Sequence, residues 1–522
     1  MSSKRILVNV LTTYTQTAVS VVVGIFTSRW VYLALGEIAF GLFAVVGAVI
    51  GFISFLNSTM VSSSTRFFAV AIGSSKQRSV IDLELPCQWF NTALSVYGIL
   101  SVILVMVGYP IGVLVIRHVL SIPPESLESC IWVFRFSLLA AFTTMVAVPF
   151  NALYTAKQLI FVRNIFGILQ TLAWAGEAWW ILHYEGDRLF SHAAALMLLM
   201  MVLNSSIVGL ALRTFPECRI KFKYWFDSQR LKQLFSFAAF SLLGSLGSML
   251  SSSGVAMVVN VFFGPSGNAA MGVGSLVSAK TSMLSSAMNS AVLPEVATRM
   301  GAKESQRAVD LGVRVCFYSV ALPLLGLMPV IVYINEILQL WLKTPPVHAA
   351  EISVILLFAS MILSQTSGYR MLIDATGRNK AYQISTSGFH LLCVVIVWLM
   401  LKCDFGIVMA LGVGWIVPKT LISAICIMQA RRLLGIPIRR AVNQVIVPLA
   451  FVTGASWSIC SGTCRLISQP LVGFVLTIIL NAVVVLGLFW ILLSTKERHA
   501  FGTILDKMLK KVAKKVAGQR RR

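Results

Sequence analysis

Eight basic side chains lie inside apolar segments of this chain, where a charge is costly unless it meets a polar cavity, a partner or the membrane interface. They are Arg29, Arg66, Arg135, Arg163, Lys280, Arg314, Arg370 and Lys419. Only three acidic residues lie equally deep, namely Glu177, Glu295 and Asp374. The apolar segments are therefore net positive, which favours an anionic substrate over a cationic one.

Position within each segment separates these cations. Lys280 lies near the middle of its segment, among serines and threonines and far in sequence from any acid, so we expect a polar cavity around it. Arg29 and Arg135 lie in the outer parts of their segments, and Lys419 lies about midway along its own. The other four lie near inner ends, where long side chains commonly reach water or lipid phosphate: Arg66, Arg163, Arg314 and Arg370.

The acids offer fewer candidates. Asp374 follows Arg370 by four residues, so the two are candidates for a local ion pair on one helix face, as are Glu295 and Arg299. Glu177 and Asp374 remain candidates for ion coupling. The chain has no phosphate-binding loop, zinc-protease motif or nucleophile elbow, and its nine cysteines show no metal-ligand spacing. We therefore expect no catalytic residues, metal or cofactor, and no enzymatic activity.

The composition is that of an integral membrane protein. Hydrophobic residues make up 57% of the sequence and charged residues only 12%, against roughly 25% charged residues in soluble domains. The net charge of +24 would indicate nucleic acid in a soluble protein. Here the basic residues crowd alternate breaks, and only five fall in the outer ones: Arg117, Arg188, Lys343, Lys402 and Arg465. This asymmetry predicts a multi-pass protein with both termini cytoplasmic and no nucleic-acid partner.

Apolar runs of spanning length predict about 14 transmembrane helices and an all-α fold. Residues 1–216 hold six of them, 217–233 form a basic and aromatic cytoplasmic connector, and 234–432 hold six more. Two additional helices occupy 433–495, and 496–522 form a basic cytoplasmic tail. The connector, with Tyr224, Trp225 and Phe226, is either an amphipathic segment at the inner interface or a solvated linker.

A weak internal echo relates the two sets of six helices. With an offset of about 228 residues, Gly36 falls on Gly264 and Gly73 falls on Gly301. The echo predicts two similar halves.

Two segments resemble one known family. Thr27-Ser28-Arg29, Leu35-Gly36-Glu37, Phe40-Gly41-Leu42-Phe43 and Phe55-Leu56-Asn57 are similar to the opening helices of Wzx-type oligosaccharide flippases, in the multidrug/oligosaccharidyl-lipid/polysaccharide exporter superfamily. The segment from Asn289 to Arg299, NSAVLPEVATR, resembles the matching region of their second lobe. The resemblance implies two pseudo-symmetric six-helix lobes around a central cavity. Some relatives also carry two further C-terminal helices.

The resemblance also implies a function, which is to flip a polyprenyl diphosphate-linked oligosaccharide from the cytoplasmic to the outer leaflet of a bacterial inner membrane. The expected role is in polysaccharide or lipopolysaccharide biosynthesis, with membrane lipid and other glycan-assembly proteins as partners. In that family, basic cavity residues are thought to attract the diphosphate, and Arg29 and Lys280 occupy such positions. Because they lie within apolar segments and are positively charged, we add three residues to this predicted set: Arg135, Lys419 and Arg314.

Two alternatives stay open. A multidrug/cation antiporter of the same superfamily would need a deep carboxylate in the first lobe, where the first two helices offer only Glu37 at a turn. A membrane glycan polymerase or ligase would need a large outer loop, and every predicted outer loop is short.

Overall fold

A computed structural model describes residues 3–77, 84–157, 159–301, 304–376, 378, 380–467 and 469–492. Over these ranges the chain is almost entirely helical and contains no strand. Eleven described helices are long and apolar enough to cross a membrane, or twelve if one bent pair forms a single span. The chain is therefore a multi-pass membrane protein of the predicted all-α class. The count of 14 stays a prediction.

The helices follow the predicted order. Before the connector lie α1 (Ser3–Gln77), α2 (Glu84–His118), α3 (Leu127–Val146), α4 (Val148–Ala156), α5 (Ile160–Leu182) and α6 (Arg188–Thr214). Helix α1 contains the first two predicted helices, and α3 and α4 together correspond to the fourth. After the connector come α7 (Ser228–Gly301), α8 (Ser305–Val332), α9 (Ile334–Leu342), α10 (Ala349–Ser364), α11 (Ser367–Ala375), α12 (Lys380–Lys402) and α13 (Ile407–Leu434). The last are α14 (Ile438–Ala441), α15 (Val447–Leu466) and α16 (Pro470–Leu492).

Two glycines break the longest helices at the positions that the sequence echo pairs. Helix α1 has 75 residues and α7 has 74, so either would extend about 110 Å if straight, against about 30 Å of hydrocarbon. Gly36 (φ 73°, ψ 176°) interrupts α1, and Gly264 (φ 63°, ψ −160°) interrupts α7. Both conformations lie in a region essentially reserved for glycine. Each half of the chain thus has one long helix that is interrupted at a glycine with positive φ.

Contacts divide the chain into two compact units that interleave along the sequence. The first unit comprises residues 1–280, 338–359 and 378–425, and the second comprises 281–337, 360–377 and 426–522. This division does not test the predicted lobes, 1–216 and 234–432, which stay a prediction.

In the second unit, the last two helices are bound to α8 near Pro329, a proline inside that helix. Pro329 lacks an N–H, so the carbonyl of Leu325 loses its helical donor. The Asn481 side chain on α16 donates to that carbonyl at 3.1 Å and to the carbonyl of Leu324 at 2.9 Å. Asn481 is fully buried and also pairs with Ser456 on α15. Helices α15 and α16 are therefore built into the fold of this unit.

Candidate functional site

The first unit contains a cavity of about 760 Å³ between helices α1, α5, α6, α7, α10 and α13. This volume falls within the range of ligand-binding pockets, about 300–1,000 Å³. Its wall is mainly apolar and includes Phe40, Phe43, Trp174, Met271, Leu356 and Trp415. Polar groups interrupt this wall in small numbers: Ser20, Thr27, Ser28, Thr171, Ser252, Ser253, Asn268 and Ser275.

Glu177 and His192 are the titratable side chains among the described residues that line the cavity. The Nδ1 atom of His192 lies 2.8 Å from Oε1 of Glu177, and both residues are buried. Because a carboxylate only accepts, His192 donates through Nδ1. The other carboxylate oxygen, Oε2, is buried and has no hydrogen-bond partner in the described part of the chain. A buried carboxylate oxygen without a partner calls for an explanation, and a bound proton or cation would supply one.

The turn between α5 and α6 fixes this pair. Asp187 caps α6 by accepting from the backbone N–H of Phe190 at 3.0 Å, which places His192 in the second turn of the helix. Arg188 reaches α1 and donates to the carbonyl of Ala34 at 3.0 Å. That carbonyl stands just before the Gly36 break, where regular helical donors are lost. Arg188, predicted to be an outer-loop cation, therefore ties the α5–α6 hairpin to the broken helix.

A second buried histidine lies with Lys419. Nζ of Lys419 is 3.0 Å from Nδ1 of His390, and the two residues are only 6% and 8% exposed. An ammonium only donates, so His390 accepts through Nδ1 and carries its own proton on Nε2. No carboxylate pairs with Lys419 in the described residues. A buried lysine without an acid partner is costly and marks a candidate anion site.

Trp415 lies beside Lys419 and lines the cavity. The two residues are four apart on α13, and Nζ lies 5.1 Å from the centre of the indole ring. The Nε1–H of Trp415 is buried without an acceptor in the described ranges. Lys419, predicted to be a cavity cation, is thus not itself a lining residue but lies against one.

Of the two cations predicted to face the cavity, Arg29 and Lys280, only Arg29 has a described side chain. Arg29 is half-buried and is not among the cavity-lining residues. At roughly 100° per residue, it falls on the other side of α1 from Gly24, Thr27 and Val31, which line the cavity. Lys280 lies in α7, but its side chain is outside the described residues.

Arg135 projects to the exterior of the first unit. It is exposed on α3 and donates to the Tyr109 hydroxyl from Nε at 3.1 Å and from a terminal nitrogen at 2.8 Å. Its guanidinium also stacks 4.6 Å from the Trp132 ring centre. Aromatic partners on an exposed face are typical of an arginine that reaches the membrane interface.

The remaining predicted residues belong to the second unit. Arg314 on α8 and Asp374 on α11 are both exposed, and each has an interaction within the structure. Neither belongs to the cavity of the first unit.

Sequence reasoning missed His192, His390 and Trp415. The signal was available, since an ionisable imidazole within an apolar run is as unusual as a lysine or a carboxylate there. Pairing them with Glu177 and Lys419 required the fold, because the partners are 15 and 29 residues apart.

No protein-family model matches the chain, and no curated protein matches it. Several solved structures do. An inward-facing multidrug resistance MATE transporter of the MOP superfamily aligns with a TM-score of 0.64 at 14% identity, over 80% of this chain and 94% of that chain. The lipid II flippase MurJ, inward closed, aligns with a TM-score of 0.64 at 10% identity, over 93% of this chain and 98% of that chain.

A MOP superfamily transporter from Pyrococcus furiosus, whose binding pocket is described as having reverse polarity, aligns with a TM-score of 0.57 at 14% identity. This alignment covers 83% of this chain and 96% of that chain. At these identities the likeness shows the fold, which is that of MOP-superfamily transporters.

Proposed function

We propose that this chain is a flippase for a polyprenyl diphosphate-linked oligosaccharide, of the Wzx type, in a bacterial inner membrane. The observation that carries the proposal is the extent of the structural match. The alignment with the lipid II flippase covers 93% of this chain, whereas that with the inward-facing multidrug transporter covers 80%. The flippase is therefore the better template for a chain in which α15 and α16 are part of the fold, and this favours a lipid-linked substrate.

The charges assign roles within this proposal. Lys419, behind Trp415, is the leading candidate for the diphosphate, and a displacement of the indole ring would give the phosphate access to it. Lys280, Arg29, Arg135 and Arg314 remain predicted contacts, of which Arg135 and Arg314 are exposed on the outer surfaces of their units. The head group enters the cavity, and the polyprenyl tail stays in the lipid.

Transport proceeds by alternating access, from the cytoplasmic to the outer leaflet, with both termini cytoplasmic. A diphosphate carrying about two negative charges gains roughly 4 to 5 kcal/mol on moving outward across about 100 mV, inside negative. Membrane potential alone can therefore drive the step. Glu177 and Asp374 are the candidates for ion coupling, and of the two Glu177 faces the cavity.

Reconstitution with a fluorescent lipid-linked oligosaccharide tests the proposal directly. We expect the label to move between leaflets at a rate that increases with an imposed potential. Purified protein that leaves the lipid in its original leaflet under every potential and ion gradient would overturn the proposal. Deletion of the gene should abolish surface polysaccharide of the lipopolysaccharide type. We expect the protein to act with other glycan-assembly proteins in making that polysaccharide.

One observation favours a second function, that of a multidrug/cation antiporter. The described cavity wall carries a carboxylate, Glu177, and no lysine or arginine. An apolar cavity with one acid suits a cationic amphiphile. Drug resistance on overexpression, with intact surface polysaccharide in a deletion strain, would support this function over the first.

A further inference from the structure

The connector between α6 and α7 presents a basic and aromatic surface, which we define as the exposed side chains of Arg219, Ile220, Lys221, Phe222, Lys223 and Phe226. Phe222 is 75% exposed, Phe226 is 70% exposed and Ile220 is 52% exposed. Large apolar side chains exposed together on a short segment mark an interaction site. The surface lies wholly in the first unit.

Helix α2 holds the connector in this exposed arrangement. The Asn91 side chain donates to the carbonyl of Arg219 and accepts from the N–H of Lys221, both at 2.8 Å. Thr92 donates to the carbonyl of Tyr224 at 2.9 Å, and Ser95 donates to that of Trp225 at 2.6 Å. Asn91, Thr92 and Ser95 are buried. These polar side chains bind the inner edge of the connector, so its outer edge is left facing away from the protein.

The acids of the connector are already paired, so the surface itself is cationic. Glu217 is buried against Lys157 at 2.7 Å, and Asp227 binds Arg230 at 3.0 Å. Arg219, Lys221 and Lys223 form no ion pair with any described residue. The Nζ atoms of the two lysines lie 5.7 and 6.0 Å from the Tyr224 ring centre, beside the exposed phenylalanines.

We propose that this connector surface binds the head groups of anionic phospholipids, with Phe222 and Phe226 inserted among the acyl chains. The connector joins a spanning helix to the start of α7, so it lies at a face of the membrane. Aromatic insertion beside unpaired cations is the pattern of an interfacial anchor. The basic C-terminal tail is an unsuitable occupant, because it has the same sign of charge. The inference rests on the fold and is independent of the transported substrate.

Spin-label depth measurements test the insertion. Phe222→Cys is labelled with a nitroxide in a chain carrying Cys403→Ala and Cys464→Ala, which removes the cysteines that are not buried. The same label at Val347→Cys, in a loop position that is 69% exposed, is the control. Collision rates with oxygen and with a water-soluble nickel chelate are compared in liposomes of phosphatidylcholine with and without phosphatidylglycerol.

We expect the label at position 222 to be protected from the nickel chelate and to move deeper when phosphatidylglycerol is present. The variant Arg219→Gln/Lys221→Gln/Lys223→Gln should lose the phosphatidylglycerol effect. It should also bind phosphatidylglycerol at least tenfold more weakly in native mass spectrometry, because each cation contributes roughly fivefold to binding at an anionic surface.

Lys343→Gln/Lys402→Gln/Arg465→Gln removes three exposed cations elsewhere and should keep wild-type lipid binding. A label that stays in water in both kinds of liposome would overturn the proposal. A label depth that is the same with and without phosphatidylglycerol would also overturn it. Protection in detergent without lipid would show that another part of the chain covers the surface, and would overturn it too.

Discussion

Two buried histidines in the first unit use the same ring atom in opposite senses. His192 donates from Nδ1 to a carboxylate that lines the cavity, whereas His390 accepts at Nδ1 from an ammonium that the Trp415 ring covers. Both pairs are buried, but Glu177 and His192 line the cavity, whereas Lys419 and His390 do not. We expect the sign of the charge that a ligand meets to depend on the position of the Trp415 ring, which lines the cavity beside Lys419.

The pairs also differ in depth. Glu177 is five residues before the end of α5, about 8 Å along the helix axis, while Lys419 is twelve residues into α13, about 18 Å along its axis. An anion bound by Lys419 would therefore penetrate further along its helix than a proton or cation bound by Glu177.

The largest effect is expected from Lys419→Gln. It removes the charge proposed to bind the diphosphate, and a hydrogen bond to a charged group is worth about 1.5–3 kcal/mol. We expect flipping of the lipid-linked oligosaccharide in liposomes to fall roughly 10- to 100-fold. Lys402→Gln removes an exposed lysine that is not a predicted contact and should change the rate less than about twofold. Equal effects of the two changes would remove the distinction between the buried and exposed cations.

Glu177→Gln tests the acidic pair. The amide keeps the shape and still accepts from His192, but a neutral hydrogen bond is about half as strong as a charge-assisted one. We expect transport to fall roughly tenfold and to lose any response to an imposed proton gradient. The matched control is Glu351→Gln, because Glu351 faces His348 at 3.9 Å in an exposed pair. If the control abolishes the gradient response equally, Glu177 is not the coupling group.

Trp415→Ala tests the shielding of Lys419. Removing the ring should expose the ammonium to the cavity and increase its modification by a water-soluble amine reagent several-fold, measured by peptide mass spectrometry. Lys402, whose Nζ lies 4.9 Å from the Trp398 ring centre but is exposed, supplies the reference reactivity. Unchanged protection of Lys419 would mean that other residues, not the indole, shield it.

The smallest effect is spectroscopic. The hydrogen bonds assign the proton to Nδ1 in His192 and to Nε2 in His390. Solid-state NMR of histidine-labelled protein in lipid should show a protonated Nδ1 in His192 and an unprotonated Nδ1 in His390, each assigned by the loss of its signal in His192→Gln or His390→Gln. One tautomer for both rings would eliminate the contrast between the pairs, even if transport were unaffected.

The fold was largely predictable, because apolar runs and glycine breaks act locally. The echo that pairs Gly36 with Gly264 is confirmed by their matching conformations. The hydrogen bond from Asn481 to the Leu325 carbonyl was not predicted, since one residue lies in α16 and the other in α8. Local patterns do not encode which distant amide binds an exposed carbonyl.

The site was less predictable. Depth and sign identified Glu177 and Lys419, both of which are buried. The same criteria also selected Arg135, which is exposed, because a helix position near the outer end is compatible with either a cavity or the interface. Orientation around the helix decides between the two, and for Arg29 that orientation is away from the cavity-lining face of α1.

The two glycine breaks have a stereochemical consequence. A Cβ atom added at Gly36 or Gly264 would meet nothing within 4 Å, so the surroundings do not prohibit a side chain there. The handedness of L-amino acids does prohibit one, because the mirror image of each glycine conformation is ordinary extended backbone. At these two points the chain behaves as if it contained D-amino acids. A D-alanine introduced by semisynthesis should therefore be compatible with a backbone that L-alanine would strain.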